Sequence, residues 1–457
     1  MNSKSIWIIW LVLCIHSGVA FGQNEKVIGL KADSLKARQV DGRTVFDLVR
    51  PVLTQDDSIL SSNFGVDEGN GYVRFWGNVQ IFEVEDTLRA DRIRYHRDTK
   101  VGVAEGNVFM TDGTAQLRAP SATHYSKEDR TEFNSGVSYS DSLGTLTAER
   151  ATYYSEFNTA HFYDQVTFKQ DDVSVFADSL QYAREENISE AWGRVFIDQR
   201  TDTTSTQLLS DYLYRNAAID SMSVIGHTRL VSIDLIKSDT LFVSSNRMVL
   251  VEDQDFDTVT ASDSVLVSSP NYSLRGDSLR TQNWDGGRRE SRIFGSPLAW
   301  LEETQVSADS LFFKTASAGP DSLLGFGAVF VASRDSVSGR IQQLKGRRLT
   351  ALMQSDSLRS LILEENAEAL FYTRERSEDP LTAVRASSDG VVFHFEGGEP
   401  SEVRFYQDVE ATYYAENMLE QLANLSGYRW SPELMPDRAL LSSLFWAEVQ
   451  SRRRSEE

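Results

Sequence analysis

The chain has 457 residues and a net charge of −21, from 46 lysines and arginines against 67 aspartates and glutamates. Binding a nucleic-acid backbone needs a basic face, and the only basic run is Arg452-Arg453-Arg454 at the carboxyl end, so no nucleic-acid partner is expected. The single cysteine, Cys14, lies in the first segment, which leaves the rest of the chain without disulfides, thiol catalysis or cysteine metal sites.

Residues 1–22 read as a secretory signal peptide: Lys4 precedes an apolar run from Ile6 to Ile15, and Ala20-Phe21-Gly22 forms a small-x-small cleavage site before Gln23. The run is too short to span a bilayer, which takes about 20 residues. Lipidation at Cys14 is disfavoured because Leu13 stands where a lipoprotein peptidase takes a small residue.

From Val27 to about Tyr414 the chain repeats. Valines at 79, 108, 137, 166 and 195 follow one another at a step of 29 residues, and alanines at 90, 119, 148 and 177 keep the same step. Looser copies occur before, at Leu30 to Leu35, and after, at Leu274 to Asp277, Val306 to Leu311, Gly327 to Val329 and Gln407 to Val409. Residues 36–70 read as an irregular insertion, so the expected domains are 1–22, a repeat domain over 23–415 and a tail over 416–457.

Inside each copy the apolar period is two, the signature of strands. Val79 and Ile81, Val108 and Met110, Val137 and Tyr139, Val166 and Phe168, and Val195 and Ile197 share one phase and are assigned to an interior face. The residues between them, Gln80, Phe109, Ser138, Thr167 and Phe196, are mixed, so the opposite face is free to be polar or apolar. After the alanine the apolar phase slips by one, to Ile93 and Tyr95 or to Leu180 and Tyr182. An extra residue at the Asp91-type position, making a bulge or corner, accounts for the slip. A unit of this size cannot bury its own face; stacked units share a continuous core. The expected fold is therefore all-β, an elongated jellyroll or solenoid of 29-residue units.

The tail changes character. Ala415 to Leu425 and Pro436 to Arg453 have helical spacing, with Leu440, Leu441, Leu444, Phe445 and Val449 on one stripe, and a short helical cap over the last open strand is expected.

The Gly-Asn-Val strand start, followed some ten residues later by Leu-x-Ala-Asp-x-x-x-Tyr and recurring behind a secretory leader, resembles the OstA-like proteins. The match is best at Gly77 to Tyr95, Gly106 to Tyr125, Gly136 to Tyr153 and Gly193 to Val195. The resemblance implies a periplasmic bridge for lipopolysaccharide transport: lipid A acyl chains held in a jellyroll interior, other jellyrolls added end to end by strand addition, and an outer-membrane assembly protein as partner. The amino-terminal edge near residues 27–35 is the better candidate for that addition. Burying an acyl chain gains about 0.8 kcal/mol per CH₂, which a long apolar groove supplies.

No cofactor or metal site is expected. His96, His124, His161, His227 and His394 have no partner at ligand spacing and are assigned to strand surfaces. Two other functions fit the same pattern: a scaffold or adhesin with a packed interior, and a polysaccharide-active enzyme using the column Asp91, Glu149 and Asp178. The column sits at the corner, where Pro120 replaces the acid in one copy, which favours a structural role.

Overall fold

The fold is a computed structural model that describes residues 29–454, apart from short stretches at 56–57, 84–85, 155–156, 158, 237, 254–255, 285–287, 302, 316–320, 336–337, 355–356, 375–379 and 397–398. The expected leader and Cys14 lie outside the described residues. Strand makes up 72% and helix 7%, as the period-two pattern requires. The chain forms two compact units, the first from residues 1–199 with 212–218, the second from 200–211 with 219–457.

In the first unit the strands are β1 (Gly29–Lys31), β2 (Ser34–Val40), β3 (Arg43–Val49), β4 (Val52–Gln55), β5 (Ser58–Ser61), β6 (Phe64–Asp67), β7 (Tyr72–Glu83), β8 (Asp86–His96), β9 (Val101–Thr111), β10 (Gln116–Tyr125), β11 (Arg130–Ser140), β12 (Thr145–Tyr154), β13 (Thr159–Gln170), β14 (Val173–Ala183) and β15 (Ile188–Arg200). From β7 onward each strand pairs antiparallel with its sequence neighbours, and one 29-residue copy is a hairpin of two such strands. Each long strand has two limbs that meet at a corner. The limb holding Val79 is the valine limb and the limb holding Tyr95 the tyrosine limb.

The corner differs from expectation. Gly-Asn-Val does not start a strand; Gly77 and Asn78 lie in the middle of β7, both with positive φ (77° and 51°). The same two-residue left-handed step recurs at Gly106-Asn107, Ser135-Gly136, Asp164-Gln165 and Gly193-Arg194. Across this step the ladder skips one more residue on the Gly-Asn strand than on the Asp strand, since Trp76 pairs Arg92 and Val79 pairs Ala90. The phase slip at Asp91 is real, but the left-handed residues that turn the chain sit on its neighbour. A Cβ on Gly106 would collide with the Asp91 carboxylate, so a close approach and a positive φ both call for glycine there.

Residues 36–70, expected as an insertion, continue the ladder instead. β2 pairs β3, β1 pairs β4, β3 pairs β6, and β5 and β6 both pair β7. These copies lack the valine and alanine markers because their corners are broken strands, with Pro51 and Ser62-Asn63 between the limbs.

The second unit contains the first part of β16 (Thr204–Asn216), then β17 (Ser221–Asp234), β18 (Thr240–Val251), β19 (Phe256–Ser268), β20 (Ser273–Trp284), β21 (Arg289–Phe294), β22 (Leu298–Leu301), β23 (Thr304–Ser307), β24 (Ser310–Thr315), β25 (Asp321–Arg334), β26 (Ile341–Gln354), β27 (Ser357–Thr373), β28 (Thr382–Glu396), β29 (Glu399–Tyr406), β30 (Glu410–Tyr414) and the helix α1 (Arg438–Arg454). Its valine limbs differ from those of the first unit in burying a row of their outer face as well. One outward row runs through directly paired residues Val231, Phe242, Ser268, Ser273, Trp300, Gln305, Ala332, Gln343 and Leu370. Every member is buried.

The carboxyl-terminal tail covers this row, and not the last strand as expected. Leu419 and Leu425 pack with Phe330, Ala332, Leu370 and Tyr372. Farther on, Ser431 N–H donates to Gln305 Oε1 (2.8 Å), the Arg438 guanidinium donates to the carbonyls of Ser268 and Thr240 (3.3 and 3.0 Å), and Arg229 pairs with Glu448 (2.6 Å). Residues 415–437 form only two short 3-10 turns, so their backbone groups need partners from elsewhere. The buried glutamines provide them: Gln343 accepts from Leu425 N–H (2.9 Å) and Gln305 donates to Arg429 O (3.1 Å). Asp437 caps α1 by accepting from Leu440 N–H (3.0 Å). The helix buries Phe445 and Val449, while Leu440 and Leu444, expected on the same stripe, are exposed. β29 and β30 pair only with β28 among the described residues, which leaves the carboxyl-terminal edge uncapped.

Candidate functional site

Alternation sends one face of every bent strand inward, and both limbs contribute. On β7 and β8 the inward residues are Val73, Phe75, Val79, Ile81, Leu88, Ala90, Ile93 and Tyr95, all buried. Of the ten residues assigned to the interior, Val79, Ile81, Val108, Met110, Val137, Val166, Val195 and Ile197 are buried, whereas Tyr139 and Phe168 are half-buried. Tyr139 and Phe168 lie one step farther from the corner than the valines, near the rim where the limbs end.

At that rim the Tyr139 ring meets Phe162 and Tyr182 from the opposite limb, with centroids 6.2 and 6.1 Å apart. A cavity of about 50 Å³ opens beside it, lined by Met110, Ala115, Leu117 and Tyr139 of the valine limb and Tyr153, Ala160 and Tyr182 of the tyrosine limb. Most of its wall is apolar.

Polar ties cross the rim above the cavity. Arg184, at the end of β14, donates to Asp112 Oδ2 (2.7 Å) and Thr114 Oγ1 (2.6 Å) in the turn after β9. Asp141, after β11, accepts from Tyr139 (2.9 Å) on its own limb and from Tyr182 (3.2 Å) on the other. A third tie joins Arg215 to Gln170 Oε1 (3.1 Å). Asp112 does not depend on Arg184 alone, since the Thr114 and Ala115 N–H groups (2.8 and 2.6 Å) and the Thr114 hydroxyl (2.8 Å) also donate to it. Burial pushes the Asp112 carboxyl up, but these donors together with Arg184 outweigh it and hold the group at about 2. Burial, then the Asp141 charge, pushes the Tyr182 hydroxyl up to about 12 and moves Tyr139 in the same direction. Both phenols stay protonated and able to donate.

Of these rim groups Tyr139 was assigned to the interior from the sequence, and Arg184, Asp112, Asp141, Arg215 and Gln170 were assigned no role. Arg184 and Asp112 are 72 residues apart, and only folding brings their turns together. His124 is a second correction: it is buried on β10 with Nδ1 3.0 Å from Thr131 Oγ1, not on a strand surface, and burial lowers its pKa to about 4.

The column of corner acids is engaged in the corners themselves. Asp91 accepts from Asn107 (3.0 Å), Asp178 from Arg194 (2.9 Å) and Asp309 from Ala328 N–H (3.2 Å), while His227 lies 2.9 Å from Asp211. Each of these aspartates fills the concave side of a left-handed step, whereas Glu149 does not, since a Cβ on Gly136 at its corner would meet nothing within 4 Å.

Two family models match this region: an LPS transport protein family described as LptA and the LptD N-terminal domain, over residues 58–188, and the OstA-like proteins, over residues 163–245. Residues 58–245 are OstA-like. Among curated proteins it is similar to the LPS-assembly protein LptD of Aliivibrio fischeri, 33% identical over 94 residues. That alignment takes in 20% of this chain and 11% of LptD, so the chain spans a small part of its relative's length. The OstA-like matches begin at β5 and cover the bent strands, the apolar cavity and its rim. Among the described residues no helix is long and apolar enough to cross a membrane.

Proposed function

We propose that this OstA-like chain carries lipopolysaccharide through the periplasm, holding acyl chains between the limbs of its bent strands. The observation that carries this reading is the continuous inward apolar column, which leads at its rim to an apolar cavity at Tyr139. Val79, Ile81, Val108, Met110, Val137, Tyr139, Val166, Phe168, Val195 and Ile197 are the proposed lipid-facing residues. The cavity is far smaller than an acyl chain, so loading requires the limbs to part. The rim is suited to that: its ties are few and polar, and each broken bond is replaced by water at a net cost of only about 1 kcal/mol.

Transport also calls for neighbours. Among the described residues β1 and β2 pair on one side only and are exposed along their length, with Leu30 and Leu35 open to solvent. An unpaired edge of this kind accepts another strand, and a jellyroll of the same family is the partner proposed for it. The uncapped β29 and β30 edge of the second unit is available for the same purpose.

The closely filled interior favours a second reading, a scaffold whose core is simply packed. Native mass spectrometry of the protein purified from its own envelope separates the two. A bound lipid released by Val166→Glu, but retained in a folded Thr167→Glu variant, is the expected result. A lipid-free wild type that also fails to take up a fluorescent acyl probe would leave the scaffold standing.

A further inference from the structure

The outer face of β7 to β10 stands apart in a chain of net charge −21. Its outward positions hold Arg89 and Arg118 on the valine limbs, and Arg74, Arg92 and Arg94 against Glu105 on the tyrosine limbs. Arg74 is paired with Glu68 and Arg92 with Glu105. Among the described residues Arg89, Arg94 and Arg118 have no carboxylate partner; each lies over an aromatic ring instead.

Arg89 and Arg118 share one ring. Both pair directly with Phe109 in the ladder, from the strands on either side, and their guanidinium carbons lie 5.9 and 4.6 Å from its centroid. Two strand steps set the arginine backbones about 10 Å apart. Beside them is a recess of about 320 Å³, bordered also by Gln80, Asn78 and Asn107 at the left-handed corners. Asp91, at the same corner, is engaged by Asn107. Phe82, next to Gln80 on the outer face of the same valine limbs, is 37% exposed, whereas Trp76 and Phe64, which stack at 5.7 Å, stand on the outer face of the tyrosine limbs.

We propose that this recess binds the phosphate of an anionic phospholipid headgroup and seats the outer face of the first unit on an anionic lipid surface. A guanidinium fork matches phosphate oxygens two at a time, and a ring beneath two forks restricts their motion before the ligand arrives. An exposed phenylalanine beside these arginines suits the boundary between headgroups and acyl chains, and a soluble anion would gain nothing from it. The acidity of the rest of the chain does not prevent binding, because its field is screened beyond about 10 Å at ordinary ionic strength. The site lies on the outer face, so it is independent of acyl chains in the cleft.

The test is flotation of the full secreted chain with vesicles of phosphatidylcholine, with and without phosphatidylglycerol. Wild type is expected to float only with phosphatidylglycerol present, and to be released by salt. Each arginine near an anionic surface contributes about fivefold, so Arg89→Gln with Arg118→Gln is expected to weaken binding about 25-fold. Arg150→Gln, which removes a partner of Asp164, is expected to leave flotation unchanged. All substituted side chains are exposed, and matching melting curves establish that the variants are folded. Flotation with neutral vesicles, or a double variant that floats like wild type, overturns the proposal. So does a wild type that takes up inorganic phosphate or polyglutamate through these arginines but does not float.

Discussion

The valine limbs of the two units have the same geometry and opposite outer faces. In the first unit the directly paired outward row at the same distance from the corner reads Phe82, Thr87, Thr111, Gln116, Ser140, Thr145 and Lys169, and it is open to solvent. In the second the corresponding row contains Val231, Phe242, Trp300, Ala332 and Leu370 and lies under the tail. Strand pairing does not require either outcome. The backbone ladder and the inward column suffice to make a bent strand, so the outward side chains are free to specify something else: a bare surface in one unit, a seat for residues 416–454 in the other.

The largest expected effect separates the units directly. Deleting residues 416–457 uncovers the apolar row and removes Leu419, Leu425, Phe445 and Val449 from burial. At about 1.5–3 kcal/mol for each large side chain, the loss is on the order of 6–12 kcal/mol, confined to the second unit. Hydrogen exchange should show lost protection in β18, β22, β25 and β27, with β7 to β14 unchanged. Equal loss in both units would show that the tail supports the whole chain and that the contrast in outer faces is secondary.

Acid should act on the first unit instead. His124 has its pKa lowered by burial from 6.5 to about 4, so the unfolded chain takes up its proton at higher pH than the folded one does. The stability tied to the neutral imidazole is complete above pH 6.5 and is lost progressively as pH falls toward 4, an effect of order 3 kcal/mol. In the second unit His227 and His394 are exposed, so the midpoint of unfolding followed in β10 and β11 should fall with pH more steeply than that in β25 to β27. A His124→Gln variant should lose the difference; if it keeps it, another group is responsible.

The smallest effect concerns the rim. Arg184→Met keeps the aliphatic stem but removes the bonds to Asp112 and Thr114. A partly exposed pair of this kind contributes about 1 kcal/mol or less. The expected result is a rise of a few fold in hydrogen exchange at residues 111–117 and 182–187, with little change in melting and faster uptake of an acyl probe. Unchanged exchange would show that the rim is held by apolar contacts such as those of Tyr139, and not by its polar ties.

Sequence reading located the interior well because alternation is local. A valine at 79 and an isoleucine at 81 must share a side of their strand, and 29 residues later the same holds for Val108 and Met110. The corner was legible in outline from the slip between Ala90 and Ile93. Its left-handed residues were harder, since Asp164-Gln165 fills the step that Gly77-Asn78 fills elsewhere. The double-sided limbs also had a signal in the unbroken run Val329-Phe330-Val331-Ala332, where alternation is lost because both faces are covered.

By itself, then, the sequence determined the all-β class, the repeat, the side of each strand that turns inward and the presence of a helix near the end, because each follows from steric preferences within a few residues. Tertiary structure alone decided that Arg184 meets Asp112 across the rim, that His124 is buried, and that the tail lies along a sheet face and not over its edge. The first and last of these join residues 72 and 126 positions apart. Their energies come from surfaces that exist only after the strands have paired, so no local pattern along the chain records them.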